Sequence, residues 1–326
     1  ASPGFADTSI RRNLGHGLDV RTGGRPSLVG CAVEDNTDDG IHVADRGLLG
    51  AFEGNTLTGN GRYPVQLPVP AVDALDVATM YAGNGADRVL VTSGRVSGDA
   101  VWEALDVPLV IEGTITVADP GGVSLTLGGG SALWFESGGA LRVGEGEPGR
   151  LMVDGGEVPV TLGSAALEPA AGDWIGVHIG GEDTGSVFEG MTVSHAGQGQ
   201  VGCVYALGAA VEIRASTISD CANEGIYINT GASLAMRAST VERCATEGVF
   251  ISQAGALAEG GSFTGNIVTE NGGHPLSTPA RWVGQLDATN RFAGNGTDRV
   301  RITGGDVAQS ALWRVHDVPY EIDGAV

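Results

Sequence analysis

Apolar residues along this chain alternate with polar ones in short bursts and never run on at helical spacing. Ile226/Ile228, Leu234/Met236, Val241 and Val249/Ile251 follow one another at steps of 8, 7 and 8 residues. Alternation over so few residues predicts half-buried strands. The bursts recur every 23 residues. Ile218-Ser-Asp-Cys221-Ala-Asn-Glu-Gly225-Ile-Tyr-Ile228 is followed by Val241-Glu-Arg-Cys244-Ala-Thr-Glu-Gly248-Val-Phe-Ile251, and Ile10–Val20 is followed by Val33–Val43 in the same way. Three strands of three or four residues, each with a turn, close a coil of that length. The next coil then stacks on it as parallel strands about 4.8 Å away. The pattern predicts an all-β chain, a parallel β-helix (β-solenoid) with three short strands per coil of 23 residues. Its hand is expected to be right, from the crossover rule.

Stacking places like residues in columns. Ile10, Val33, Leu57, Ile218, Val241 and Val268 are read as one apolar column. Three residues further on, Asn13, Asn36, Asn60, Cys221, Cys244 and Asn271 are read as an inward, structural turn ladder. An asparagine there bonds backbone and the amide of the next coil, and cysteine replaces that bonding with compact packing. A longer period overlies the coils. Residues 1–115 resemble 209–326, with a constant offset of 211 from Phe52 onward; about two in five of those positions are identical. The register breaks by three residues only near Ala44-Asp-Arg-Gly47. Residues 67–108, with Pro68, Pro70 and Pro108, are expected to form longer coils with a protruding loop. Asn84-Gly85/Asp87-Arg88 and its repeat at 295–299 read as a tight turn with a local ion pair, and Trp102 and Trp313 as core or coil-capping residues. The whole of 1–326 is read as a single continuous β-helix. Both copies break in mid-pattern, which suggests a window on a longer array.

Composition narrows the function. Thirty-nine acids face 18 bases, all arginine, for a net charge of −21. No basic stripe exists to replace the counterions of phosphate, so nucleic acid is disfavoured as a partner. Without lysine there is no Schiff-base chemistry. No stretch approaches the roughly 20 apolar residues of a membrane span. The acid excess fits a secreted or high-salt protein, extracellular or at the cell surface, or one that binds divalent cations along its surface.

The turns Asn36–Val43 and Cys221–Ile228, of the form Asn-x-x-x-Gly-Ile-x-Val, and Gly172-Asp-Trp-Ile-Gly-Val177 after Pro159-Val-Thr-Leu-Gly-Ser164 resemble the bacterial secreted β-helix proteins of the pectin-lyase-like superfamily. That resemblance implies the right-handed fold but not the function, since the fold hosts lyases, hydrolases, adhesins, phage spikes and shafts. Asn36-Thr37-Asp38, the pair Asp38-Asp39 and Gly15-His16-Gly17 are similar to polygalacturonase motifs, but in altered order and without an Arg-Ile-Lys. Asp38 and Asp39 are therefore the alternative catalytic carboxylates, because sugar hydrolysis needs an acid and a base. Glu34, Asp38 and Asp39 are the alternative calcium ligands, in the manner of polysaccharide lyases. No other cofactor is expected. No His/Cys cluster has zinc spacing and no strained serine elbow is present. Cys221 and Cys244 stack directly, so they form either a disulfide or two parallel thiols. The leading expectation is a non-enzymatic extracellular structural solenoid, a segment of a fibre, shaft or adhesin that meets copies of itself or adjoining repeats end to end. A carbohydrate-active enzyme or a glycan-binding module for acidic polysaccharide is the alternative.

Overall fold

The computed structural model describes residues 2–199, 201–260, 262–307 and 310–326. Its strands pair in parallel from coil to coil, as short alternation with a fixed period requires. In the first unit a coil consists of Ser27–Val29, Ala32–Glu34 and Ile41–Val43. In the second it consists of Ala210–Arg214, Thr217–Ser219 and Ile226–Ile228. Inward Val33, Leu57, Ile218, Val241 and Val268 have no exposed surface. Each such side chain contributes about 1.5–3 kcal/mol, so stability accumulates coil by coil.

Single residues turn the corners. Asp35, Asp220, Arg243 and Glu270 adopt positive φ (52–58°) immediately before Asn36, Cys221, Cys244 and Asn271. Ala215 and Ala238 do the same before Ser216 and Ser239. One left-handed residue swings the chain between strands and aims the next side chain inward. There the asparagines bond from coil to coil. Asn36 N and Nδ2 donate to Asn60 Oδ1 at 3.2 and 2.9 Å, and Asn60 donates likewise to Asn84 Oδ1 at 3.1 and 2.9 Å. In the second unit Cys244 N donates to Asn271 Oδ1 and Asn271 to Asn295 Oδ1. Gly85 and Gly296 follow the last two asparagines because a Cβ there would sit 2.1 and 2.0 Å from a carbonyl oxygen of the coil before. The preceding corner, a column of small residues that includes Cys31, Ser216 and Ser239, carries its own ladder: Cys31 to Asn55 to Thr79, and Ser216 to Ser239 to Asn266 to Asn290.

Two readings need correction. The apolar column and the asparagine ladder are not single lines. Ile10–Val33–Leu57 and Ile218–Val241–Val268 occupy separate stacks. The stack that runs into Ile218 is the first unit's third one, through Ile41, Val65, Val89, Leu109, Leu133, Leu162 and Val193. Asn13, Asn36 and Asn60 therefore form one ladder, and Cys221, Cys244 and Asn271 mark another.

The switch happens at Val89–Val96 and Leu109–Val117, strands of 8 and 9 residues with a register shift between Thr92 and Gly94. Their first halves extend the old stack. Their second halves open a new one, continued by Ile115 on Leu141, and Ala100–Trp102 opens another on Leu125–Leu127. A short 3-10 helix, Val69–Ala74, packs on this flank. The old first stack finishes at Phe52–Glu53 and the old second stack at Tyr81, whose N–H is received by Asp106 at 3.1 Å. Residues 67–108 are thus a sideways joint as well as a loose coil. The second unit repeats it with the 3-10 helix Ala280–Gln285 and with Asp317 receiving Phe292 N–H at 3.0 Å.

Asn60→Ala should cost about 3 kcal/mol in urea unfolding, because it leaves the buried Asn36 N–H without its acceptor. Ala238→Gly should raise stability by about 0.5–1 kcal/mol, since glycine removes the left-handed strain of that corner.

Candidate functional site

The turn that resembles a hydrolase lies at the corner before the first unit's third stack. Its two aspartates differ in burial. Asp39 is fully buried; its Oδ1 accepts Tyr63 N–H at 3.2 Å and its Oδ2 lies 3.1 Å from His16 Nδ1 and 4.0 Å from Arg62. The His16 contact is close but out of hydrogen-bond alignment. Asp38 is half-buried beside Gly15, and Glu34 sits at a strand end beyond the left-handed Asp35. Glu34, Asp38 and Asp39 are thus not gathered as a calcium shell, and among the described residues no group of three or more His, Cys, Asp or Glu side chains is placed to hold a metal.

The structure does bring the histidines together. The His16 ring stacks on His42 at 4.6 Å, and His42 Nδ1 meets Asp19 Oδ1 at 3.1 Å. The His42 hydrogen bond, then Arg21, holds the Asp19 carboxyl below its usual range. Arg62 and Arg88 lie over the Tyr63 ring at 5.1 and 5.6 Å. Arg88 is not the partner of Asp87, as the turn pattern had implied. Asp87 Oδ1 instead accepts the N–H groups of Gly83 and Asn84, because its short side chain folds back on its own turn.

The second unit holds different chemistry at the same places. Glu224 and Glu247 replace His16 and Asp39, and His274 replaces Tyr63. The second copy therefore has two acids on successive coils, where reading the Cys244–Gly248 turn alone found one. Glu247 pairs with Arg301 at 3.7 Å, while His274 and Arg299 both meet Glu321, at 3.2 and 3.5 Å. Burial, and then the charge of Glu247, hold the Glu224 carboxyl above its usual range. Next to these acids, the middle positions of the third-stack strands read His178, Tyr205, Tyr227, Phe250, Ser277, Arg301 and Glu321, of which His178 and Ser277 are buried. Sequence reasoning missed this row. Its signal was the aromatic at the middle position of each Ile-Tyr-Ile and Val-Phe-Ile burst.

The cysteines pair otherwise than expected. The disulfide joins Cys203 to Cys221, with Cα atoms 5.7 Å apart, and Cys244 and Cys31 are free buried thiols. Cys221 and Cys244 occupy equivalent positions and point the same way, whereas Cys203 lies level with Gly225, one residue before Val204 pairs with Ile226. Burial pushes the Cys244 thiol up to about 12, which keeps it unreactive. Trp102 is buried as expected, and Trp313 is half-buried.

Thiol titration of the denatured, unreduced chain should count two cysteines, Cys31 and Cys244, and peptide mapping should recover the Cys203–Cys221 bond. Removing that bond should cost about 3 kcal/mol. Glu224 favours its neutral form in the fold, so its contribution to stability is full below the usual carboxylate range and is lost as pH rises through its raised value. Glu224→Gln should therefore raise the Tm by about 1–2 °C at neutral pH and leave it unchanged in acid.

Residues 171–306 match the family model described as the right handed beta helix region. No curated protein and no solved structure matches the chain. Stacked parallel coils and this match agree on the fold: a right-handed parallel β-helix.

Proposed function

We propose that this chain is a non-enzymatic extracellular structural solenoid, a segment of a fibre, shaft or adhesin that associates end to end. The repeated joint carries the reading. At the first joint Val96 and Trp102 are covered by the coil that follows, with 3% and 2% exposure. Their counterparts are Val307, 41% exposed, and the half-buried Trp313. Around them Leu312 and Val315 are 68% and 88% exposed, and the described residues of 303–319 form no strand. An apolar edge of this kind, whose equivalent is paired within the same chain, fits another parallel coil, from adjoining repeats or from a second copy. The first strands of a second copy, Gly4–Ala6, Ser9–Arg11 and Leu18–Val20, present the complementary parallel edge. The Cys203–Cys221 bond supports an oxidising, extracellular setting.

A second reading, a carbohydrate-active enzyme for acidic polysaccharide, is favoured by one observation only, the His16–Asp39 couple beside the stacked His42. Uronate release with and without calcium, in the native chain and in Asp38→Ala and Asp39→Ala, separates the two. The structural reading expects none in any case.

The net charge of −21 opposes contact between copies, and salt screens it. Sedimentation velocity should therefore show chains lengthening as ionic strength rises, with rods of continuous width in electron micrographs. Leu312→Asp with Val315→Asp should return the protein to monomers. A chain that stays monomeric at every salt concentration sinks the proposal.

A further inference from the structure

The outward face of the third stack in the second unit differs from its own duplicate in a way that coil packing does not require. Tyr227 and Phe250 stand where the first unit has Asp19 and His42, and the two sets of strands share one geometry. The fold therefore accepts polar residues at these places. Yet the second unit fills them with rings, in a row that runs from His178 through Tyr205 and Tyr227 to Phe250. Successive ring centroids lie 5.3, 5.5 and 5.1 Å apart, one ring per coil. Tyr227 stands nearly perpendicular to both neighbours, at 83° and 88°, so ring faces and edges alternate along the row. All three of Tyr205, Tyr227 and Phe250 keep part of their surface in solvent.

Polar groups border the row. Glu224 makes no ion pair among the described residues, and its charge reaches the Tyr227 phenol, which burial, Tyr205 and Glu224 together raise above its usual range. Glu247 is held by Arg301, and Asn229 Nδ2 donates to the Tyr205 hydroxyl at 3.0 Å. Rings that cover apolar C–H surface, beside carboxyl groups that accept from hydroxyls, suit a polyhydroxylated ligand. The repeat along the axis suits a polymer. The charge selects among polymers: two carboxyl groups border the rings and the chain carries −21 overall, which repels a polyanion.

We propose that the face formed by Tyr205, Tyr227 and Phe250, with Glu224 and Glu247 beside it, binds a neutral, extended polysaccharide laid along the axis of the β-helix. This goes beyond the structural role and does not depend on end-to-end association.

Affinity electrophoresis of the folded chain tests it, at low ionic strength where copies stay apart. The gels contain a neutral β-glucan, mannan or xylan, or polygalacturonate as the anionic comparison. At least one neutral polymer should retard the native chain, and polygalacturonate should not. The double variant Tyr227→Asp, Phe250→His carries the residues the first unit already tolerates there, and should lose affinity about tenfold or more with little change in melting temperature. Tyr227→Leu keeps apolar bulk without an aromatic face and should weaken retention as well, which provides a second folded variant. Trp134→Ala, an exposed ring on a different stack, should leave retention unchanged. The proposal is overturned if no neutral polymer retards the native chain, if only polygalacturonate does, or if a folded variant is retarded as strongly as the native chain.

Discussion

Everything in this fold depends on the corner at which one left-handed residue hands the chain to an inward amide. A coil has to turn sharply, and a sharp turn strands a backbone N–H inside an apolar core. An unpaired buried N–H costs as much as a core side chain contributes. At Asn36 and Asn60 the side-chain oxygen of the next coil receives that N–H, and the side-chain nitrogen returns the bond to a carbonyl of the previous coil. The turn is thus satisfied by its neighbours and not within itself. For this reason a single coil is not a stable object while a stack of them is.

The coil length, the three strands and the asparagine corner were legible in the sequence because each repeats at a fixed interval and each has a local cause. The left-handed bend was not, because Asp35, Arg243 and Ala238 are ordinary residues forced into φ > 0 by the stack around them. The sideways joint was hidden for a different reason. Sequence equivalence shows that Val33 and Val241 play the same part, but it does not say that they stand in the same line. Only pairing shows that Ile218 continues from Ile41 and Val65.

The candidate site was half legible. Asp39 and His16 stood out as motif residues, and the structure does join them. What the motif did not convey was burial: Asp39 is fully buried and Asp38 half-buried. The cysteines carry the same lesson. Residues that stack in parallel point alike, and Cys221 bonds to Cys203, which lies off its column, instead of to Cys244, which lies on it. The two units therefore share a scaffold and differ in what they display, as Asp19 and His42 against Tyr227 and Phe250 make plain.

The shared stack at the joint has a mechanical side. Ladder hydrogen bonds between coils run along the axis, so a pull on the ends of the molecule loads them directly. Within a unit three stacks carry that load in parallel. Between residues 52 and 117 two stacks finish and two begin, and only the one through Val65, Val89 and Leu109 passes uninterrupted. Tension concentrates there, and a stretched molecule would open first at its joints, giving way in whole units and leaving the coils between them closed.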